Sequence, residues 1–330
     1  MISLLHFHNR LIREKRKLIN GNKKAGHATL ICHDQMPAGP AGLLLKPGDR
    51  PMTDKKQHMK FEGENIHWDM EMSYGQYLHL DQVLSAQKPL SGEHDEMLFI
   101  IIHQASELWM KLCIHELLSA TGDIRKDDLG PSFKKLSRVA RIQTQLLQSW
   151  EVLATMTPFD YMNFRDALGR SSGFQSYQYR IIEFTLGHKE EKMITLFEGQ
   201  PEIKAVMEKA LKTPGIYDET LKLLHRRGFD IPKQRLERDW TQNYEAHKGV
   251  EDAWYKIYNN AEEYFDLYEL AEKLVDLEYR LQQWRFTHLK TVERIIGGKR
   301  GTGGTSGIGY LAKALSHTFF PELWTVRTRL

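Results

Sequence analysis

Two histidines stand where a core would ordinarily hold hydrocarbon. His103 falls in the run Asp95–Leu112, which is dominated by apolar residues and too long for a strand. It lies one turn after Phe99, so the two share a helix face. His288 lies on a stripe with Leu277, Leu281, Trp284, Val292 and Ile295, at steps of three and four. An imidazole in apolar surroundings must find a hydrogen-bond partner or remain a costly unpaired polar group. The plain reading is a core histidine bonded to a neighbouring carbonyl or, for His103, to Glu107. Two such histidines in a helical chain rich in Phe, Tyr and Trp also suit a haem held by one proximal imidazole. Residue chemistry alone leaves both readings open.

Other reactive patterns narrow the field. Thr157–Ser176 mixes aromatics, arginines, Gly and Ser. Arg165 stands among its aromatics, and a partly desolvated guanidinium needs an anion. Its planar fork suits a ligand carboxylate, and an internal ion pair with Asp160 or Asp166 is the alternative. A glycine-rich loop runs from Gly297 to Gly309. A phosphate-binding loop would need Ser or Thr after Gly298-Lys299, where Arg300 stands. Gly307-Ile308-Gly309-Tyr310-Leu311-Ala312 matches a dinucleotide fingerprint, but that motif must follow a strand and here follows a loop. A loop that closes over a small ligand, offering backbone N–H groups and the Thr302 hydroxyl, fits better. No HExxH motif, cysteine cluster or repeated Glu-x-x-His pair occurs.

The elements that must position these residues read as helices. Ser73 caps a short helix to Leu84, with Pro89 after it. The His103 helix follows, with Ser91 as its expected N-cap and its end near Gly122. Pro131–Met156 carries Leu136, Val139, Ile142, Leu146, Trp150 and Leu153 on one face. Tyr177–Leu186, Pro201–Lys212 and Ile216–Arg226 follow, then a long tract from Glu251 to Ile296, in one piece or two. With no strand pair and no internal repeat, residues 67–330 read as a single all-α domain.

Residues 1–66 differ. They are Gly- and Pro-rich from Asn20 to Arg50, and they read as a disordered extension. Met52 and Met59 stand as alternative starts. The extension carries twelve Lys/Arg and six Asp/Glu, a net +6 that leaves −3 for the rest of a +3 chain. The folded part therefore has no broad basic footprint for nucleic acid. No stretch approaches the 18 or so apolar residues of a membrane span. Two cysteines, Cys32 and Cys113, are too few for a disulfide framework.

Four stretches carry a resemblance. They are Asp95–Lys111, Phe164–Glu183 (Phe-Arg-Asp-Ala-Leu-Gly-Arg-Ser-Ser-Gly-Phe-Gln-Ser-Tyr-Gln-Tyr-Arg-Ile-Ile-Glu), Trp284-Arg285-Phe286-Thr287-His288, and Lys299–Tyr310. In that order they resemble the tryptophan 2,3-dioxygenase family, over about Tyr74 to the C-terminus. The N-terminal extension departs from the family's pattern and puts the start in doubt. The resemblance implies a haem b enzyme, one ferrous haem per subunit, that adds O2 across the indole C2–C3 bond of L-tryptophan to give N-formyl-L-kynurenine. It implies a cytoplasmic homotetramer that opens the kynurenine pathway, with no nucleic-acid or membrane partner. By family position, His288 is the iron ligand and Trp150, Ser172 and Gly173 border the cofactor. His103 meets the indole N–H, Arg165 grips the substrate carboxylate and Thr302 helps hold the ammonium. Phe99, Tyr161 and Leu168 line the indole pocket, and Tyr74, Tyr77 and Leu78 complete the pocket of a neighbouring subunit. A haem-based sensor without turnover and a helical scaffold with core histidines are the readings from other classes.

Overall fold

The computed structural model describes residues 72–330, together with the backbone of two short strands, β1 (His58–Phe61) and β2 (Glu64–His67). These pair antiparallel, with Met59 opposite Ile66. The sequence reading found no strand pair, so the hairpin is a difference. Its signal is local and easily masked by polar neighbours: only Glu62 and Gly63 separate the strands, and glycine in a two-residue connection favours a hairpin. Apart from this hairpin, the extension expected over residues 1–66 lies outside the described residues.

From Ser73 onward the described chain is helical. α1 (Tyr74–Leu78) starts at a reciprocal cap: the Ser73 hydroxyl accepts the Gln76 N–H, and the Gln76 side chain accepts the Ser73 N–H. The expected single helix breaks at His79, whose φ of 49° is left-handed, and α2 (Leu80–Leu84) begins after it. α3 (His94–Arg125) carries His103. Its cap position is Glu93, not Ser91. The N–H groups of Leu90 and Ser91 and the Ser91 hydroxyl are instead spent on the buried Glu96 carboxylate, at 2.7, 2.7 and 2.5 Å. A carboxylate that is 1% exposed needs those donors more than the helix end does.

α4 (Leu129–Leu153) lies along α3. α5 (Pro158–Phe164), α6 (Tyr177–Leu186), α7 (Pro201–Lys212), α8 (Ile216–Arg226) and the one-turn α9 (Lys233–Leu236) follow. The long tract is two helices, α10 (Lys248–Asn259) and α11 (Phe265–Ile296). Two short helices close the chain, α12 (Ile308–Leu315) and α13 (Pro321–Thr325). The stripe on α4 (Leu136, Val139, Ile142, Leu146) packs in one buried cluster with Leu274, Leu277 and Leu281 of α11. The Gln143 amide closes that seam by donating to the Leu277 carbonyl at 3.1 Å. Burial of each such side chain is worth about 1.5–3 kcal/mol, which is what fixes α4 against α11 and aligns the residues at their ends.

α3 is also long and apolar enough, by length and composition, to cross a membrane, contrary to the sequence expectation. Its second half is a core element: Cys113, Leu117, Ala120 and Ile124 are buried, and α4, α6 and α8 pack on it. Its first half leaves Met97, Ile101, Leu108 and Leu112 exposed along one face.

Candidate active site

The ends of α3, α4 and α11 enclose a cavity of about 510 Å³, within the range of small-molecule and cofactor sites. Trp150, in the last turn of α4, stacks on the His288 ring of α11, with centroids 4.4 Å apart and planes 10° from parallel. Trp284, one turn before His288, closes the other side at 5.4 Å. The packed stripes of the two helices produce this pairing. Burial, and after it the neighbouring His103, pushes the His288 imidazole down to about 3, so the ring is neutral. It makes no hydrogen bond to any described residue, and it lines the cavity. A neutral, unpartnered imidazole between two indoles has its lone pair free for a metal. Among the described residues no three His, Cys, Asp or Glu converge to hold an ion by themselves. A metal carried in a macrocycle needs only one such ligand, so these residues fit a haem. The buried indole N–H of Trp150, on the same wall, also has no partner among the described residues.

Facing this wall, α3 presents Phe99 and His103. The His103 Nδ1 lies 2.7 Å from the Phe99 carbonyl, which can only accept, so Nδ1 carries the proton. Burial pushes the imidazole below its ordinary value, against the opposing pull of the Phe99 carbonyl and Glu107. His103 is therefore neutral, with Nε2 as an acceptor. The bond to a neighbouring carbonyl expected of a core histidine is present, and it leaves the other nitrogen free. Phe99 packs 4.1 Å from the His103 ring and 6.1 Å from Tyr161, which α5 supplies.

Arg165 follows α5. Among the described residues it forms no ion pair. Asp160 instead caps α5 with Thr157, and the Arg165 guanidinium donates to the Arg300 carbonyl at 2.6 Å. It also adjoins Tyr161. The loop after α11 thus folds back over residues 165–173. The Thr302 hydroxyl donates to the Ser171 carbonyl at 2.5 Å. Gly303 presses on Ser172 so closely that a Cβ would sit 2.7 Å from the Ser172 Cβ. Gly307, at φ 59°, brings its backbone beside the Lys299 carbonyl, where a Cβ would sit at 2.9 Å. The loop hands directly into α12, with no strand before it, so the dinucleotide-like motif lacks its context.

Of the expected site residues, Phe99, His103, Trp150, Tyr161, Ser172, Gly173, His288 and Thr302 line this one cavity. Arg165 and Leu168 adjoin it without lining it. Leu168 packs with Phe99 on Leu153, Met156, Tyr161, Phe164 and Ile295. Tyr74, Tyr77 and Leu78 are exposed and lie outside it. Sequence reasoning missed a charged group on the cavity wall: Arg180 and Glu183 of α6 and Arg285 of α11. Glu183 accepts from Arg180 at 2.6 Å and from Arg285 at 2.9 Å. Burial alone would raise the Glu183 carboxyl, but His188, Arg180 and Arg285 beside it bring it down to about 2. The available signal was an arginine and a glutamate three apart inside an otherwise apolar helix.

A family model described as Tryptophan 2,3-dioxygenase matches residues 59–330. The chain is 55% identical over 286 residues to the tryptophan 2,3-dioxygenase of Bacillus cereus (strain ATCC 10987 / NRS 248), covering 87% of this chain and 100% of that protein. It is 54% identical over 281 residues to the protein of that name in Geobacillus thermodenitrificans (strain NG80-2), covering 84% and 100%. With that of Erythrobacter litoralis (strain HTCC2594) the figure is 58% over 260 residues, 79% of this chain and 99% of the relative. Agreement at this level, over the helices that carry both histidines and the loop that covers them, means that the chain belongs to the tryptophan 2,3-dioxygenase family.

Proposed function

We propose that the protein is a haem-dependent dioxygenase that inserts both atoms of O2 across the indole C2–C3 bond of L-tryptophan. The product is N-formyl-L-kynurenine, the first step of tryptophan degradation by the kynurenine pathway. The observation that carries this reading is the pair of imidazoles on one cavity. His288 is neutral and unpartnered between two indoles, whereas His103 has its proton fixed on Nδ1 and its Nε2 free.

In this reading His288 would hold the iron of a haem b, one per subunit in the ferrous form, and Trp150, Ser172 and Gly173 would border it. When bound, the haem supplies the iron at which O2 is activated. The chain's own residues bind and orient the amino acid. Phe99, Tyr161 and Leu168 form the apolar wall for the indole ring. His103 Nε2 would accept the indole N–H and so fix how the ring lies in the cavity. An imidazole pushed below its ordinary value is too weak a base to remove the proton from an indole, so orientation is the role its chemistry allows. Arg165 offers its fork to the carboxylate, in competition with the Arg300 carbonyl that it now holds. Thr302 offers its hydroxyl oxygen to the ammonium while its O–H still donates to the Ser171 carbonyl. With the loop seated on Ser172, water is kept from the reacting edge.

The same reading makes the protein a cytoplasmic homotetramer. Tyr74, Tyr77 and Leu78, which are 76%, 71% and 38% exposed in the single chain, would then reach the pocket of a neighbouring subunit. The exposed face of α3 supports this, because an apolar stripe of that length calls for a partner. Replacing His288 tests the core of the proposal. His288→Ala is expected to fold, to purify with little haem and to lack activity. Full haem occupancy with an unchanged spectrum would remove His288 from this role.

A further inference from the structure

We infer that Arg180 is the counter-charge for a carboxylate arm of the porphyrin, held in place by Glu183 and Arg285. The inference rests on the haem reading above and concerns which wall of the cavity receives the acidic edge of the cofactor.

Arg180, Glu183 and Arg285 are each 3% exposed, yet all three line the cavity. Two guanidinium groups share one carboxylate, which leaves a surplus positive charge on a buried group. The other carboxylate on the cavity wall, Glu107, accepts from the Gln178 amide at 2.7 Å and sits one helical turn from His103. A buried charge without a partner is costly, so the surplus calls for an anion.

The two arginines differ in which nitrogens have partners. All three nitrogens of Arg285 donate: its Nε to the Tyr179 hydroxyl at 3.0 Å, one Nη to the Ala314 carbonyl at 3.0 Å and the other to Glu183. Arg180 donates through one Nη to Glu183 and through the other to the Tyr310 hydroxyl at 3.0 Å and, weakly, to the Phe174 carbonyl at 3.4 Å. Its Nε is buried and has no partner among the described residues. The guanidinium is fixed over the Phe174 ring, 5.0 Å from its centroid, so it cannot turn away to find one. The Trp150 indole N–H is the second unpartnered donor on this cavity. Buried donors nearly always have acceptors, and two orphans on one cavity point to an acceptor supplied by the occupant.

Two occupants carry a carboxylate: the porphyrin and the amino acid. Arg165 and Thr302, at the glycine loop, are already suited to the amino acid, and Arg180 is tied through Glu183 to Arg285 on the helix that carries His288. The porphyrin is therefore the source that the arrangement favours.

The test compares protohaem with its dimethyl ester, whose arms carry no charge. The rate of haem loss from the loaded protein to excess apomyoglobin is the readout. The wild-type protein is expected to lose the ester about tenfold faster or more, the factor set by one charged hydrogen bond. Arg180→Gln should lose protohaem faster by a similar factor and no longer distinguish it from the ester, and Arg180→Lys should restore part of the difference. Equal rates for the two haems in the wild-type protein would overturn the inference without any mutation. So would an unchanged ratio in Arg180→Gln, or a loss of affinity for tryptophan that tryptamine does not share, since that pattern marks the substrate's carboxylate. Should Arg180→Gln fail to fold, the wild-type comparison and Arg180→Lys decide. A protein with no Soret band at all would instead overturn the haem reading itself.

Discussion

A single hydrogen bond decides what His103 can do. Because Nδ1–H donates to the Phe99 carbonyl, Nε2 is left as an acceptor, and burial keeps the ring neutral. Losing an orienting bond in a buried site costs about 1–3 kcal/mol. That is roughly 5- to 150-fold in rate. His103→Ser is thus expected to keep its haem and retain measurable turnover. A fall of more than about 10⁴-fold, beyond the usual range of general-base effects, would show that the imidazole moves a proton. Arg165 forms no ion pair among the described residues, and its guanidinium already holds a carbonyl oxygen. Arg165→Lys breaks the paired geometry of a carboxylate contact. Binding of tryptophan should weaken, while tryptamine, which has no carboxylate, should bind almost as before. Equal losses for the two amines would mark Arg165 as structural. Both residues stood out in the sequence because their chemistry clashed with their surroundings: an imidazole in an apolar run, a guanidinium among aromatics. Leu168, Ser172 and Gly173 clash with nothing, and only the family resemblance singled them out.

At the scale of elements, the site depends on ties between segments far apart in the chain. Glu183 of α6 binds Arg285 of α11, 102 residues away, and Arg285 in turn holds the Ala314 carbonyl of α12. Removing one partner of such a buried group leaves charge uncompensated and costs about 3–5 kcal/mol. Glu183→Gln should therefore lower the denaturant midpoint markedly. The effect has a pH signature. A carboxyl whose folded value lies near 2, below its ordinary 4.5, stabilises the fold fully above 4.5 and loses that contribution as pH falls toward 2. Wild-type stability should fall across that window, and the part due to this residue should be absent from Glu183→Gln. If both proteins show the same acid dependence, the carboxylate is not the tie described. Sequence periodicity gave α7 and α8 with their observed bounds, because their apolar stripes repeat cleanly. It missed the break at His79, a left-handed residue that only the surrounding fold can impose, and it missed the arginine–glutamate group, whose charges balance in space and not along the chain.

For the whole molecule, the all-α class was legible because long stripes at steps of three and four leave few other ways to bury 41% apolar residues. The cavity was not, since its walls come from α3, α4, α6, α11 and the loop between α11 and α12, and nothing local announces their convergence. The exposed faces of α1 and α3 gave no sequence signal either. A stripe that packs on a neighbouring chain reads the same as one that packs within the chain. These features bear on one claim, that the cavity carries out a dioxygenation. Its most direct test is to supply the haem-loaded protein with L-tryptophan under isotopically labelled O2 and weigh the product. The account predicts one N-formyl-L-kynurenine per tryptophan consumed, bearing both labelled atoms. Tryptophan bound to haem-loaded protein with no oxygen taken up, or a product with only one labelled atom, would contradict it.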